Sequence, residues 1–400
     1  MLSQQSIKPK EKNVKKLGQK ISMCVLFMAT SYGCSAQPYS IESHGDVVQL
    51  RDTGNNTVIS VLTPVNNAYE MVVNGKNVIR MNNVKSVDDM RARPGLNGVP
   101  LMAPFANRLD EPAFYANGKK YNFDTQLGNV RAPIPIHGYL MDASTWEVID
   151  SGADQNSAWV TSKLDFYKVP DYMAQFPFAH TLTVTHRLSE GALEVHTRVD
   201  NLSTEPMPNA IGYHPYFQLT DSGRNDWTLN APARTHWILD DRNVPSGATQ
   251  PAEDFWGTDP HNISLSDFSE TRIDDVFTDL ERDNQGRSTF TMSGEEQSIS
   301  VTVGPNYKTM LVYSTAPQPP REGGGGNRPD TTPISTGPDI PLNATEGEPA
   351  PWSRGFIALE PMVGITNSMN MAQKGLYDEL QYIQPGEYWE ESFWISTEGF

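Results

Sequence analysis

Thr181-Leu182-Thr183-Val184-Thr185-His186-Arg187-Leu188 alternates polar and apolar residues, turns over at Ser189-Glu190-Gly191, and alternates again from Leu193 to Val199. Successive side chains of a strand point to opposite faces, so a period of two puts one apolar face on a core. The pattern predicts an antiparallel hairpin with His186 and His196 facing one another across it. No further ligand candidates lie nearby, so both read as ordinary strand residues and not as a metal site. The same texture recurs at Val47 to Arg51, Thr57 to Leu62, Tyr69 to Val73, Thr235 to Leu239, Ser288 to Met292, Ser298 to Val303, Met310 to Ser314, Phe356 to Leu359 and Glu391 to Ser396. Asn74-Gly75 and Asn117-Gly118 are dipeptides that a two-residue hairpin turn requires. Helical spacing is confined to Asp274 to Leu280 and Met371 to Leu380, two candidate short helices. Many short strands without regular helical crossovers predict an all-β chain, an antiparallel sandwich or barrel, and such folds run well past 200 residues as one domain.

The ends and the charge narrow the setting. Of 400 residues, 38% are hydrophobic and 20% charged, an ordinary composition for a folded domain. Lys8, Lys10, Lys12, Lys15, Lys16 and Lys20 precede the apolar run Ile21 to Thr30, and small residues follow around Gly33-Cys34-Ser35-Ala36. That order is the pattern of an export leader over residues 1–36, and the run is too short to span a bilayer stably. The expectation is a periplasmic or extracellular protein whose mature chain, residues 37–400, keeps no transmembrane segment and forms a single domain. A lipid anchor at Cys34 is the alternative. The only two cysteines, Cys24 and Cys34, lie in this leader, so no intramolecular disulfide staples the mature fold. With the basic leader set aside, the formal charge of −17 becomes about −22, which repels phosphate backbones and argues against a nucleic-acid partner.

One stretch breaks the texture. Ala316 to Gly355 holds four consecutive glycines and nine prolines, a composition that buries too little apolar surface to order itself. It reads as a long insertion at about 316–355, delivered just before Phe356-Ile357-Ala358-Leu359-Glu360-Pro361.

The polar residues that interrupt apolar strands are the candidate site. In Asn209-Ala210-Ile211-Gly212-Tyr213-His214-Pro215-Tyr216-Phe217, the period of two aims Gly212, His214 and Tyr216 one way and Tyr213 and Phe217 the other. His214 is then either a buried structural group or a proton donor, and this segment alone leaves both open. Pro104-Phe105-Ala106-Asn107-Arg108-Leu109 sets an amide beside a guanidinium, a donor pair suited to an oxygen-rich ligand, although a buried carboxylate partner explains the arginine equally well. His137 ends the apolar Pro135-Ile136, and Asp274 and Asp275 offer acceptors for hydroxyls or a cap for the candidate helix. Glu360 closes an apolar strand, where a carboxylate needs a partner or a task.

Together these segments resemble the aldose 1-epimerase (galactose mutarotase) family: Asn107-Arg108, His137-Gly138, Gly212-Tyr213-His214-Pro215-Tyr216-Phe217, Asp274 within I-D-D-V-F, Glu360-Pro361 and the closing Pro385-Gly386-Glu387 occur in the family's order. The resemblance spans roughly Val47 to Ser396. It implies a large antiparallel β-sandwich with a sugar in an open cleft and neither metal nor organic cofactor. It also implies Glu360 as general base, His214 as general acid, and Asn107, Arg108, His137 and Asp274 as the residues that hold the sugar. Two departures stand out. Tyr139-Leu140-Met141-Asp142 supplies neither a second glycine nor the arginine of the hexose-6-phosphate branch, which points away from a phosphorylated substrate, and the insertion before Glu360 is atypical.

The chemistry makes sense of the residue types. Interconverting the anomers of a free aldose such as galactose or glucose means taking the anomeric hydroxyl's proton while giving one to the ring oxygen. Rotation and reclosure follow, and one carboxylate with one imidazolium suffices. A nearby Glu360 is expected to keep His214 charged. Two other readings fit the same residues: a sugar-binding protein without turnover, and a glycoside hydrolase pairing Glu360 with Asp274.

Overall fold

Two long ladders dominate the chain, and their packing follows from alternation. The computed structural model describes residues 37–81, 84, 86–315 and 355–400, which fall within one unit, Gln37–Phe400. The expected leader at 1–36, Cys34 and the expected insertion apart from Gly355 lie outside the described residues. A nine-stranded sheet runs in the order Ile263–Ser264, Thr228–Asn230, Ser288–Ser293, Ser298–Val303, Tyr388–Glu398, Ala192–Asn201, His180–Ser189, Ala158–Leu164, Glu147–Ala153. An eight-stranded sheet runs Pro245–Pro251, Ala233–Leu239, Ile273–Leu280, Thr309–Ser314, Ile357–Met362, Gly212–Tyr213, Leu101–Met102, with Tyr216–Phe217 also paired to Ile357–Met362. A five-stranded sheet of Tyr39–His44, Val47–Asp52, Thr57–Leu62, Asn67–Val73 and Lys76–Asn77 precedes them. The strand ladders are antiparallel, as expected for a β-sandwich.

The two large sheets meet through their apolar faces. Val184, Leu193, Val195, Phe393 and Ile395 from one and Ile273, Met310, Val312, Ile357 and Leu359 from the other share the main core. Tyr213 ties them: its ring lies 4.9 Å from Phe393, and its hydroxyl shares a 2.6 Å hydrogen bond with Thr197. Each fully buried side chain of this size contributes ~1.5–3 kcal/mol. The opposite face of the eight-stranded sheet carries a smaller cluster with Met102, Val276, Leu311 and Met362, and it is this face that holds the polar residues described below.

Three expectations need correction. Ile273–Leu280 is a strand, not a short helix, so neither Asp274 nor Asp275 caps a helix. Its apolar residues Ile273, Val276, Phe277 and Leu280 mimic helical spacing because both faces are buried, with Ile273 and Phe277 in the main core and Val276 in the smaller one. At Met371 to Leu380 the helix is Ser368–Gln373 and ends before most of the expected span. His186 does not face His196. The register sets it opposite Val195 and sets His196 opposite Thr185, so His186 points into the core while His196 points outward.

Candidate active site

Ile357–Met362 is buried throughout its length and lies between Thr309–Ser314 and the two short strands Gly212–Tyr213 and Tyr216–Phe217. Pro215 has no N–H to give to a ladder, which accounts for the break between those short strands. Gly212 pairs with Met362 and Tyr216 with Ala358, so the same register carried across the break sets His214 opposite Glu360. Gly212 has to be glycine, since a Cβ there would sit 2.9 Å from Ala106, Met362 and the Pro361 carbonyl. On the next strands Leu311 pairs with Glu360, and Asp274 pairs with Tyr313. Because the period is two, His214, Tyr216, Glu360, Tyr313 and Asp274 all project from one face.

His214 Nε2 lies 3.0 Å from Glu360 Oε1, and both side chains are nearly sealed from solvent, at 5% and 1% exposure. The contact is off-line for a hydrogen bond: among the described residues neither Glu360 oxygen accepts one. Burial pushes the Glu360 carboxyl well above its ordinary 4.5; the negative charge of Asp274 adds to this and Arg108 opposes it. Burial likewise pushes the His214 imidazole down to about 3, against a backbone hydrogen bond that favours its charge. The expectation that Glu360 keeps His214 charged is therefore not met. Desolvation penalises both ions and so favours the neutral forms, a protonated carboxyl beside a neutral imidazole. Tyr216 stacks on the imidazole at 4.6 Å, with its hydroxyl 3.5 Å from Nε2.

Two loops form the facing wall. The amide of His137 donates to the Asn107 carbonyl at 2.7 Å, and that of Leu109 to Pro135 at 3.0 Å, so the loops are stitched back to back. Asn107 and His137 both adopt left-handed backbone, φ 50° and 63°. Non-glycine residues hold such conformations at a cost of ~1–3 kcal/mol, and they gather at functional sites. Gly138 follows with φ 63° and packs so closely that a Cβ would lie 2.0 Å from the Ala103 carbonyl oxygen. The His137 ring meets His214 edge-on at 5.1 Å, and its Nδ1 lies 2.9 Å from Met102 Sδ. Burial, then the neighbouring His214, Arg108 and Arg131, hold its imidazole well below the ordinary range. His137 is thus a neutral polar group suited to holding a ligand.

Asp274 organises the cations. Its Oδ2 accepts from Arg108 Nη2 at 3.2 Å, from Asn243 Nδ2 at 2.8 Å and from Arg272 Nη2, while Arg108 Nη1 donates to Asn107 Oδ1 at 2.9 Å. The carboxylate partner that the sequence allowed for Arg108 is therefore Asp274. Asn107, Arg108, His137, His214, Asp274 and Glu360 all line one cleft of about 950 Å³. Sequence reasoning missed Arg272, Arg131, Tyr313 and Asn243. Arg272 carried a signal, standing next to Ile273-Asp274, whereas Tyr313 and Asn243 reach the site only through strand register and a turn. The arrangement offers a buried carboxyl and a buried imidazole 3.0 Å apart, and a wall of fixed donors and acceptors around them.

Sandwich and cleft together define a galactose mutarotase-like fold. The chain belongs to the aldose 1-epimerase family, whose model matches residues 71–341. Among solved structures, a galactose mutarotase-like protein from Clostridium acetobutylicum is 19% identical and superposes with a TM-score of 0.68 over 90% of this chain and 98% of its own. A galactose 1-epimerase from Lactobacillus acidophilus is 15% identical, with a TM-score of 0.63 over 90% and 98%. An aldose epimerase homologue from C. elegans is 15% identical, with a TM-score of 0.63 over 86% and 96%. At these identities the likeness speaks for the fold.

Proposed function

We propose that this protein is an aldose 1-epimerase that interconverts the α and β anomers of a free aldose such as glucose or galactose by ring opening and reclosure. The observation that carries this reading is the 3.0 Å approach of His214 Nε2 and Glu360 Oε1 within the cleft. Anomer exchange removes one proton from the anomeric hydroxyl and delivers one to the ring oxygen, so the site must hold a donor and an acceptor at once. A pair carrying a single proton meets that requirement in either arrangement. Passing the proton from Glu360 to His214 leaves a carboxylate to take the anomeric hydroxyl's proton and an imidazolium to protonate the ring oxygen. Opening leaves Glu360 protonated and His214 neutral. Reclosure runs from that state with the roles reversed, His214 taking the hydroxyl's proton and Glu360 protonating the aldehyde oxygen. Arg108 favours the carboxylate in this exchange. Asn107, Arg108, His137 and Asp274 hold the sugar's hydroxyls, with Arg272 and Tyr313 beside them.

Asp274 makes a poor second catalytic carboxylate, since Arg108, Arg272 and Asn243 all converge on its Oδ2. Adding the protein to freshly dissolved α-glucose and α-galactose and following optical rotation tests the reading. It predicts decay to equilibrium faster than the spontaneous rate, and an unchanged rate with every free aldose tried refutes it. We read residues 1–36 as an export leader on their lysines, apolar run and small residues. N-terminal sequencing of protein recovered outside the cytoplasm tests that, with a chain beginning at or near Gln37 as the expected result. Among the described residues no helix is long and apolar enough to cross a membrane.

A further inference from the structure

We propose that the site takes its aldose as the reducing end of a neutral oligosaccharide, with a neighbouring sugar ring held in a second cavity beyond Asp274. The proposal rests on the epimerase reading and adds the substrate's size. A free aldohexose has about 12 non-hydrogen atoms, while clefts of ~300–1,000 Å³ are those that enclose drug-sized ligands. At about 950 Å³ the main cleft is at the upper end of that range, larger than one hexose needs. A second cavity of about 420 Å³ adjoins it, and Arg272 and Asp274 line both.

The second cavity is built from fixed polar groups. His236 is buried, with Nε2 2.9 Å from Asp275 Oδ1 and Nδ1 3.2 Å from Gln250 Nε2, and its ring is stacked on Phe255 at 4.0 Å. Asp275 in turn accepts the Asp274 amide through Oδ2 at 3.0 Å, so the floor of one cavity is bonded to the wall of the other. Asn243 faces this side and donates to Asp274 Oδ2 at 2.8 Å. All three side chains that bond Asp274 converge on Oδ2, and among the described residues Oδ1 accepts none, which leaves it to receive a hydroxyl. Ile238, 37% exposed, adds an apolar surface of the kind that the C–H face of a pyranose covers. Asp240, Asp274 and Asp275 line it and are bonded to Arg242, to Arg108 and Arg272, and to His236, so its one arginine, Arg272, is already engaged by Asp274. Such a lining accepts hydroxyl donors and, among the described residues, keeps no unengaged cation for an anionic ring, so the second sugar is a neutral one.

Calorimetric titration of the Glu360→Gln protein with glucose, galactose and a panel of neutral reducing disaccharides tests the second cavity without requiring turnover. The expected result is at least one disaccharide bound tenfold or more tightly than its reducing-end monosaccharide. Gln250→Ala, and separately Ile238→Ala, should each remove most of that advantage while leaving monosaccharide affinity within twofold. Equal affinity for mono- and disaccharides across the panel, or the same loss for both in these variants, overturns the proposal. Anomer exchange of free glucose and galactose by the unmodified protein is measured alongside. Its absence counts against the epimerase reading, whereas its presence with no disaccharide preference counts against the second cavity alone.

Discussion

The ring of Phe356 meets that of Tyr216 edge-on at 5.3 Å, and Tyr216 lies flat against His214 at 4.6 Å. Phe356 also packs on Tyr313 at 5.5 Å and lies under the Arg80 guanidinium, whose Nη1 donates to the Gly355 carbonyl at 2.7 Å. Arg80 is bonded through its own amide to the Tyr216 carbonyl, so the strand bearing Tyr216 and the segment leading into Glu360's strand are clamped together behind the site. Removing the Phe356 ring should let Tyr216 and His214 shift relative to Glu360. Since a misplacement of about 1 Å can cost ~10²-fold, Phe356→Ala is expected to lower turnover by tenfold to a hundredfold with little change in KM. Steady-state anomer exchange, with circular dichroism to check the fold, measures this. A rise in KM at constant turnover would place Phe356 in binding instead.

The protonation of the pair predicts the pH dependence. Below the depressed value of His214, about 3, the imidazole gains a second proton and no acceptor remains. Above the raised value of Glu360 the last proton leaves and no donor remains. The rate should therefore form a bell whose acid limb lies well below the ordinary imidazole value of 6.5 and whose alkaline limb lies well above the ordinary carboxyl value of 4.5. Both limbs belong to the pair as a unit. An acid limb centred near 6.5 in kcat/KM would contradict this protonation.

Glu360 should weaken the fold at neutral pH. Its folded value is raised, so the stability it contributes is full below the unfolded value of 4.5 and is lost as pH rises toward the folded one. Glu360→Gln removes that loss. The variant is expected to melt higher than the unmodified protein at pH 7 to 8, with the gap closing toward pH 4.5, as thermal unfolding across pH would reveal. Lower melting at every pH would mean that the carboxyl is needed for the fold.

His186 works in the opposite direction. Burial depresses it to about 4, and among the described residues neither ring nitrogen has a hydrogen-bond partner. A depressed group contributes stability above its unfolded value of 6.5 that is lost as pH falls toward 4. At roughly 1.4 kcal/mol per unit, the full loss is on the order of 3 kcal/mol. His186→Leu should keep more of its neutral stability at pH 4 to 5 in urea titrations. An unchanged acid dependence would show that other groups govern it.

How much was legible follows from where each signal resides. Strands with one apolar face, such as His180–Ser189 and Ala192–Asn201, announce themselves because burial on one side imposes a period of two. Ile273–Leu280 did not, since apolar residues on both faces erase the alternation. The site segments around Asn107, His137, His214, Asp274 and Glu360 were legible as polar interruptions of apolar runs. Their meeting was not, because it depends on the register by which Gly212 and Tyr216 pair with Met362 and Ala358. The charge state of His214 was misjudged for a related reason. A nearby carboxylate favours imidazolium only where their attraction outweighs the desolvation of both ions, and here both are buried and neither Glu360 oxygen accepts a hydrogen bond among the described residues.

The most direct test of the account is the rate of anomer exchange of a free aldose, measured by exchange NMR, in the unmodified protein, in His214→Asn and in Glu360→Gln. The account predicts exchange well above the spontaneous rate in the first and a loss of ~10²-fold or more in each variant, with the fold retained. Exchange at the unmodified rate in either variant would contradict it, because the proton would then be moving without the pair that spans those 3.0 Å.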